Sequence, residues 1–472
     1  MSRPPYRVDH KFWGRRQKTC KKRLTFSARK PHRDPQKNYN TPIIFHTGAI
    51  RLDIAAWLPV IQKQVVQNPK TMNQKMLTDP NKNVSGGNVN TLRPQPLGLY
   101  IHIPYCIHKC GYCDFNSHLI DQGEMGAYVD ALLVEMDHYA QSHSSDREVQ
   151  TLFLGGGTPT TLPIPQLVRI LESAEKNFCF ASNSEITFEA NPATIGQNQL
   201  KSLRQAGYNR ISVGVQSFNK TELTLLDRAH GVEEIHCTID RARGAGFDNL
   251  SLDLIFAIPG QTLERWEDNL RLALDKNPQH LSTYNLTIEP ETAFWKLQSR
   301  GKLTMPNEEH QLALYRRTLE VLESAGLRHY EISNFARPGR ECRHNITYWQ
   351  NGDSLGFGAG ASSFLDGTRH KNANLPARYI KEINKQRTAV ESRESLKQRR
   401  AMGESLMLGL RLLEGISIQQ FEERFQTSFN QAFGGIVSSL QKKDLVTIEE
   451  NRLRLSEKGL FLADSVILEF IA

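Results

Sequence analysis

A chain of 472 residues allows two or three domains, or one barrel with additions. With 39% apolar and 23% charged residues, and no apolar run near about eighteen residues, collagen, coiled coil, mucin-like chains and a membrane-spanning helix are excluded. The net charge of +9 resides in residues 1–40, which hold 13 basic against 2 acidic residues and leave 46 against 48 in the rest. The seven cysteines are too few and too uneven for a disulfide scaffold, which places the chain in a reducing, cytoplasmic setting.

Residues 1–96 read as a basic, largely disordered extension and linker, with too few aliphatic side chains for a core. A nucleic-acid arm, an Arg-rich transit peptide and an over-long start beyond Met72 or Met76 all fit it, while a secretory signal does not, because no apolar h-region is present. Thr41 to Val66 alone carries material for a small element, and Asp79 to Pro96 is linker in character.

From Leu97 short apolar runs alternate with amphipathic stretches, the rhythm of parallel βαβ units. Strands are expected at Leu97 to Ile103, Gln150 to Leu154, Glu185 to Glu189, Arg210 to Val215, Asn249 to Phe256 and His280 to Leu286. Helices are expected at Ala127 to Tyr139, Pro165 to Phe178, Gln197 to Ala206, Val232 to Ala245, Leu263 to Lys276 and Glu308 to Ala325. Six βα repeats make an α/β fold, a partial TIM-like (β/α)6 barrel over 97–330, whose functional groups belong at the carboxyl ends of its strands. A Gly- and aromatic-rich connecting segment follows over 331–391. Residues 392–472 then pair helices (Arg400 to Leu413, Ile418 to Arg424, Phe433 to Gln441) with a hairpin at Leu445 to Leu455, a small helical or winged-helix-like appendage.

The central chemical signal is Cys106, Cys110 and Cys113, a CxxxCxxC directly after the first strand. Three thiolates on one short loop can hold three irons of a [4Fe-4S] cluster and leave the fourth iron open. The bland alternative is structural zinc, with His102, His108 or His118 as fourth ligand, but zinc sites usually pair two ligand couples and no second CxxC exists here. The run Gly155, Gly156, Gly157, Thr158, Pro159 lets backbone approach a ligand with no Cβ in the way, although a tight turn would use it equally well. Glu189, Gln216, Arg228 and Asp253 fall at or near successive strand ends. A buried Arg228–Asp253 ion pair accounts for any one of them; several facing one mouth suit a polar, cationic ligand better.

The CxxxCxxC spacing resembles the radical S-adenosylmethionine signature. GLYIHIPYC, CGYCDFNSH, GGGTPT, EANP, GVQSF, LDLIFAIPGQT and HNITYW resemble the HemW-type haem chaperones, relatives of oxygen-independent coproporphyrinogen III oxidase, over about Gly98 to Ala472. The resemblance implies that Cys106, Cys110 and Cys113 ligate the cluster. It further implies that Tyr100, Gly156, Gly157, Thr158, Glu189, Gln216, Arg228 and Asp253 surround S-adenosylmethionine, with Tyr112 beside the cluster. The oxidase branch reads CxxxCxxCxC, whereas Phe115 stands here two residues after Cys113 and can neither ligate iron nor donate a thiol. His344, Asn345, Tyr348 and Trp349 form the HNxxYW pattern of the chaperone branch, and imidazole and aromatic rings suit haem. The alternative is that His344 and Asn345 satisfy backbone groups in a turn.

Cys342 is a second soft candidate for haem iron, and Cys179 and Cys237 read as buried small hydrophobes. The basic run Lys397 to Arg400 reads as a solvated helix start, with no nucleic-acid readout. The function implied is a haem chaperone that holds a [4Fe-4S] cluster, S-adenosylmethionine and haem and delivers haem to respiratory haem proteins. Homodimerisation and peripheral membrane contact remain open. The competing reading is coproporphyrinogen III oxidation by a radical enzyme.

Overall fold

The computed structural model describes residues 96–142 and 147–471. Expectations placed on residues 1–95, including the element over 41–66, lie outside the described residues. All six expected strands form: β1 Leu97–Ile103, β2 Val149–Gly156, β3 Phe180–Ala190, β4 Arg210–Gln216, β5 Asn249–Phe256 and β6 His280–Asn285. They lie side by side in chain order, and every pairing among them is parallel. The returning helices are α1 Gln122–Ser142, α2 Ile164–Asn177, α3 Gln197–Ala206, α4 Val232–Gly244 and α5 Leu263–Asp275, with α6 Glu308–Ser324 after β6.

Local chemistry explains the regularity. In β5 every residue after Asn249 is buried, as a parallel strand covered on both faces requires. Leu167, Ile170, Leu171 and Ala174 are the buried residues of α2 and fall on one helical stripe. The Thr262 side chain caps α5 by accepting from the Arg265 amide, Asn307 caps α6 through the His310 amide, and Gly207 ends α3 at φ 117°.

The segment read as a connector is instead built into the same sheet. It supplies β7 Arg328–Glu331, β8 Asn334–Ala336, α7 Arg343–Trp349, β9 Ser354–Phe357, β10 Ser362–Leu365, β11 Thr368–Asn372, α8 Pro376–Gln386 and β12 Val390–Ser395. The order across the twelve strands is β12-β11-β10-β9-β1-β2-β3-β4-β5-β6-β8-β7. β9 runs parallel to β1, with Leu99 opposite Leu355, and β8 runs antiparallel to β6, with Phe335 opposite Leu281. The barrel is therefore open among the described residues, its six-stranded centre extended at both edges. These added strands are three to six residues long and rich in polar residues, too little for a periodic signal.

The carboxyl-terminal region has winged-helix connectivity. Helix α9 Gln398–Gly409 leads to the two-residue β13 Ile416–Ser417, then α10 Ile418–Phe425, α11 Phe429–Lys442 and the hairpin β14 Val446–Glu449 and β15 Arg452–Leu455. β15 is the central strand of this small sheet. Phe421 packs edge-on against Phe429 and Phe433, which fixes α10 to α11.

Candidate functional site

The cysteine loop is pinned at both ends. Tyr105 and Cys106 pair with His118 and Leu119 in a two-residue ladder, so residues 107–117 form a closed excursion from the end of β1. Tyr105 is fully buried, and its hydroxyl donates to Glu124 at 2.8 Å. The Cys113 amide donates to the Cys110 carbonyl at 3.1 Å, a turn that brings the second and third cysteines together. Asn116 fastens the far side by donating to the carbonyls of Ala359 and Asn374.

The glycine run is set against this loop by close backbone approach. The Gly157 amide donates to the Ile103 carbonyl and the Thr158 amide to the Tyr105 carbonyl, each at 2.8 Å. A Cβ on Gly157 would sit 2.7 Å from the Tyr105 carbonyl oxygen. Gly156 adopts φ 110°, the region only glycine enters without strain. The sequence requirement at Gly156 and Gly157 is thus steric.

A chain of side chains then joins two of the cysteines. Thr158 Oγ1 lies 3.6 Å from Cys106 Sγ and accepts from Asn191 Nδ2 at 2.7 Å. Asn191 Oδ1 accepts from Arg228 at 2.6 Å, and Arg228 donates onward to Cys110 Sγ at 3.4 Å, to Tyr112 Oη at 3.3 Å and to the Gly214 carbonyl at 3.1 Å. Asn191 is the member that sequence reasoning passed over. It ends the EANP strand, where the strand-end rule could have found it. The Arg228–Asp253 pair weighed from the sequence is not what these bonds show: Arg228 turns to the cysteine loop, and Asp253 accepts from Ser212 at 3.1 Å.

Burial raises the Cys106 thiol, which the hydrogen bond from Thr158 partly offsets, and burial pushes Cys113 up to about 11. Both thiols must shed a proton to bind metal. Among the described residues no three His, Cys, Asp or Glu side chains converge as ligands of a single metal ion. A cubane spreads its thiolates over separate irons, so three unpaired cysteines on one loop, with donor groups aimed at their sulfurs, fit a cluster better than a lone zinc.

Glu189 and Asp253 are buried on neighbouring parts of the sheet interior, and Gln216 closes β4 in the left-handed region at φ 67°. A strained non-glycine residue at a strand end is a mark of sites whose surroundings hold it there. Tyr112 packs edge-on against Phe294, beside the cysteines. Tyr100 lies deeper, mid-strand, its hydroxyl bonded to His102 Nδ1 at 3.0 Å and its ring stacked on Phe153.

The HNxxYW motif is α7, and it sits under the opposite, amino end of the strands. His344 Nδ1 bonds with Thr151 Oγ1 at 2.8 Å and Nε2 with Tyr348 Oη at 3.1 Å, and the residue is 2% exposed. Burial first, then the charge of Arg210, lowers this imidazole to about 3, so it is neutral. Glu185 accepts from the Arg343 and His344 amides at 3.2 Å each. Trp349 is buried under the Arg411 guanidinium, 4.5 Å from the ring centre. Thr151 and Gly98 lie near the starts of their strands and Cys106 follows the end of β1, so roughly 15 Å of strand separates the two motifs.

Cys342 is buried and donates to Glu185 at 3.7 Å, its thiol pushed up to about 12 by burial. Cys179 and Cys237 correct the sequence expectation, because both are exposed. Cys179 falls in the short turn between α2 and β3, and Cys237 lies on α4 beside the buried Ile235, Thr238 and Ile239, facing outward.

An open parallel sheet with a CxxxCxxC loop at the end of its first strand defines the class, and residues 100–273 match the family described as Radical SAM superfamily. Residues 396–462 match the HemN C-terminal domain. The chain is 36% identical to the Heme chaperone HemW of Bacillus subtilis over 79% of this chain and 98% of that protein, and 41% identical to the HemW of Escherichia coli over 60% and 77%. It is 33% identical to the zebrafish (Danio rerio) "Radical S-adenosyl methionine domain-containing protein 1, mitochondrial" over 78% and 85%. The solved coproporphyrinogen III oxidase (HemN) of Escherichia coli superposes with a TM-score of 0.71 at 27% identity, covering 82% of this chain and 92% of that one. The chain belongs to the HemW family of radical SAM proteins.

Proposed function

We propose that this protein is a haem chaperone that carries a [4Fe-4S] cluster on Cys106, Cys110 and Cys113, holds S-adenosylmethionine at the barrel mouth, binds haem and delivers it to haem-dependent respiratory proteins. The observation that carries the reading is the Cys106–Thr158–Asn191–Arg228–Cys110 chain, which orders donors around the thiols of a family whose relatives are named haem chaperones. When bound, such a cluster offers one open iron to which the amino and carboxylate groups of S-adenosylmethionine can chelate.

The residues divide that work. Gly156 and Gly157 let the end of β2 close onto His102 and the Tyr105 carbonyl beside the cysteine loop, Glu189 and Asp253 provide negative charge for a cationic sulfonium ligand, and Arg228 offers a guanidinium beside Cys110. Phe115 presents a phenyl ring where the oxidase branch has a thiol, and its carbonyl accepts from the Ser117 amide, so oxidase chemistry is not favoured. His344, Tyr348 and Trp349 enter this reading as the floor of the haem region. For His344 to reach iron, it must first release Thr151 or Tyr348.

Anaerobic reconstitution followed by haem titration tests the function. About four irons and four sulfides per chain, a saturable Soret band and no protoporphyrinogen IX from coproporphyrinogen III are expected. Porphyrinogen turnover, or zinc without sulfide, overturns the reading.

A further inference from the structure

Asn269 stands with Trp266, Leu270 and Ala273 on the buried stripe of α5, where an amphipathic helix calls for an apolar side chain. Its amide reaches across to the chain that follows β4. Oδ1 accepts from the Phe218 amide at 2.5 Å, and Nδ2 donates to Glu222 Oε2 at 3.1 Å. The same Glu222 oxygen accepts from the Ser217 hydroxyl at 2.7 Å, and Ser217 Oγ accepts in turn from the Asn219 amide at 2.8 Å. Ser217, Glu222 and Asn269 are all buried, and a carboxyl group at that depth is costly unless such donors meet it.

This knot surrounds the strain at the strand end. The Ser217 amide donates to the Val215 carbonyl at 2.9 Å, which closes a three-residue turn on Gln216 at φ 67°. A residue with a side chain holds that conformation only where its surroundings impose it. The turn folds the Gln216 side chain back along its own strand. A Cβ placed on Gly214 would lie 2.9 Å from Gln216 Nε2, 2.8 Å from Asn191 Oδ1 and 3.6 Å from Arg228 Nη2, so these three groups converge above the bare glycine. The knot also governs the approach of Arg228. Asn219 caps the short helix Lys220–Leu225 by accepting from the Thr221 and Glu222 amides, and the Arg228 amide donates to the Leu223 carbonyl at 3.0 Å. The helix that carries Glu222 thus sets where Arg228 starts its reach to Cys110.

We propose that Ser217, Glu222 and Asn269 are positioning residues, which hold Gln216 and Arg228 in place for S-adenosylmethionine and the cysteine loop. Their assignment to that ligand rests on the cluster reading above. A knot that only tied α5 to the sheet would have no need of a strained turn. With Asn269 removed, Gln216 is free to relax to negative φ and carry its amide away from Gly214, and Arg228 keeps its charge but loses its place.

The test compares Asn269→Ala with Thr318→Val, which deletes the acceptor of the Trp266 indole at 2.8 Å and so weakens the packing of the same helix without touching the knot. The full chain is reconstituted anaerobically and titrated calorimetrically with S-adenosylmethionine, and the electron paramagnetic resonance of the reduced cluster is recorded before and after. Asn269→Ala is expected to keep its iron and sulfide, to bind at least about tenfold more weakly and to lose the ligand-induced spectral change, whereas Thr318→Val lowers Tm and keeps both. Glu222→Gln, which retains an acceptor for Ser217, should bind more tightly than Glu222→Ala. Wild-type affinity in Asn269→Ala, or an equal loss in Thr318→Val, overturns the proposal. Should Asn269→Ala not fold, Ser217→Ala replaces it under the same criteria. Metal-free protein separates this proposal from the reading beneath it. Arg228 donates to Cys110 Sγ, so the ratio of Cys110 to Cys113 alkylation by iodoacetamide should shift in Asn269→Ala and hold in Thr318→Val. A shifted ratio in a protein whose wild type takes up neither cluster nor S-adenosylmethionine defeats the proposed function and leaves the placement of Arg228 standing. An unshifted ratio overturns the proposal whatever the ligand does.

Discussion

Gly157→Ala is the sharpest test of how the glycine run supports the cysteine loop. The new methyl would lie 2.7 Å from the Tyr105 carbonyl oxygen, 2.9 Å from the Pro104 carbonyl carbon and 3.0 Å from the Ile103 carbonyl oxygen, all backbone atoms that cannot rotate away. Relief therefore means parting β2 from the end of β1, which stretches the 2.8 Å bonds from the Gly157 and Thr158 amides. Overpacking of this kind costs about 1–3 kcal/mol, and weakening two backbone bonds adds about 1 kcal/mol more, for a total near 2–4 kcal/mol. At about 2 cal/mol/K of unfolding entropy per residue, that lowers Tm by roughly 3–5 °C. Gly155→Ala is the control, because its Cβ meets the Glu189 carboxylate and the Phe153 ring, side chains that can turn, at 3.0 Å. Thermal unfolding of metal-free protein and iron and sulfide analysis after reconstitution measure both variants. A Gly157→Ala protein with wild-type Tm and a full complement of cluster iron would refute the reasoning.

Three further outcomes are expected. Asn191→Ala frees Arg228 and Thr158 together, so the reconstituted cluster should shift to a more negative potential, because donors near thiolate sulfur favour the reduced state; an unchanged potentiometric midpoint would detach Asn191 from the cluster. His344→Ala deletes two buried hydrogen bonds and a stacked ring and should cost about 3 kcal/mol in denaturant unfolding, while an unaltered Soret titration would remove His344 from haem binding. Burial lowers His230 and His344 to about 3, His329 to about 4 and His280 well below its usual value, so the unfolded chain binds these protons first and stability falls as pH drops below about 6.5; burial raises Glu135 to about 7, which opposes this with one proton of the other sign. Burial also raises Glu331, Glu404 and Asp353, which act on the same side as Glu135 at lower pH, so the histidines dominate between pH 6.5 and 5.5, and urea unfolding that is flat over that range would contradict it.

The βα rhythm was readable because its strands are long and apolar and its helices are striped. Leu97–Ile103 and Asn249–Phe256 form between the very residues where the pattern starts and stops. The edge strands escaped notice, since Ser354–Phe357 and Asn334–Ala336 gain their identity from neighbours far away in the chain. Composition also misled where it was used alone: Cys179 and Cys237 were assigned to the interior by residue type, but a turn and an outward helical face decide their exposure. The cysteines, Thr158 and Arg228 could be picked out because motif and strand end coincide.

The position of β9 has a consequence for biosynthesis. β1, from which the cysteine loop hangs, is zipped on one side by residues 354–357, and Asn116 inside the loop is moored to Ala359 and Asn374. A nascent chain that has emerged only to residue 330 carries all three thiols yet presents β1 as a bare edge, and closing a loop of some 250 residues is slow. The cysteine loop therefore gains its second mooring only once residues 354–374 have been made, and a chain that stops short of them holds its three thiols on a strand with one ragged side.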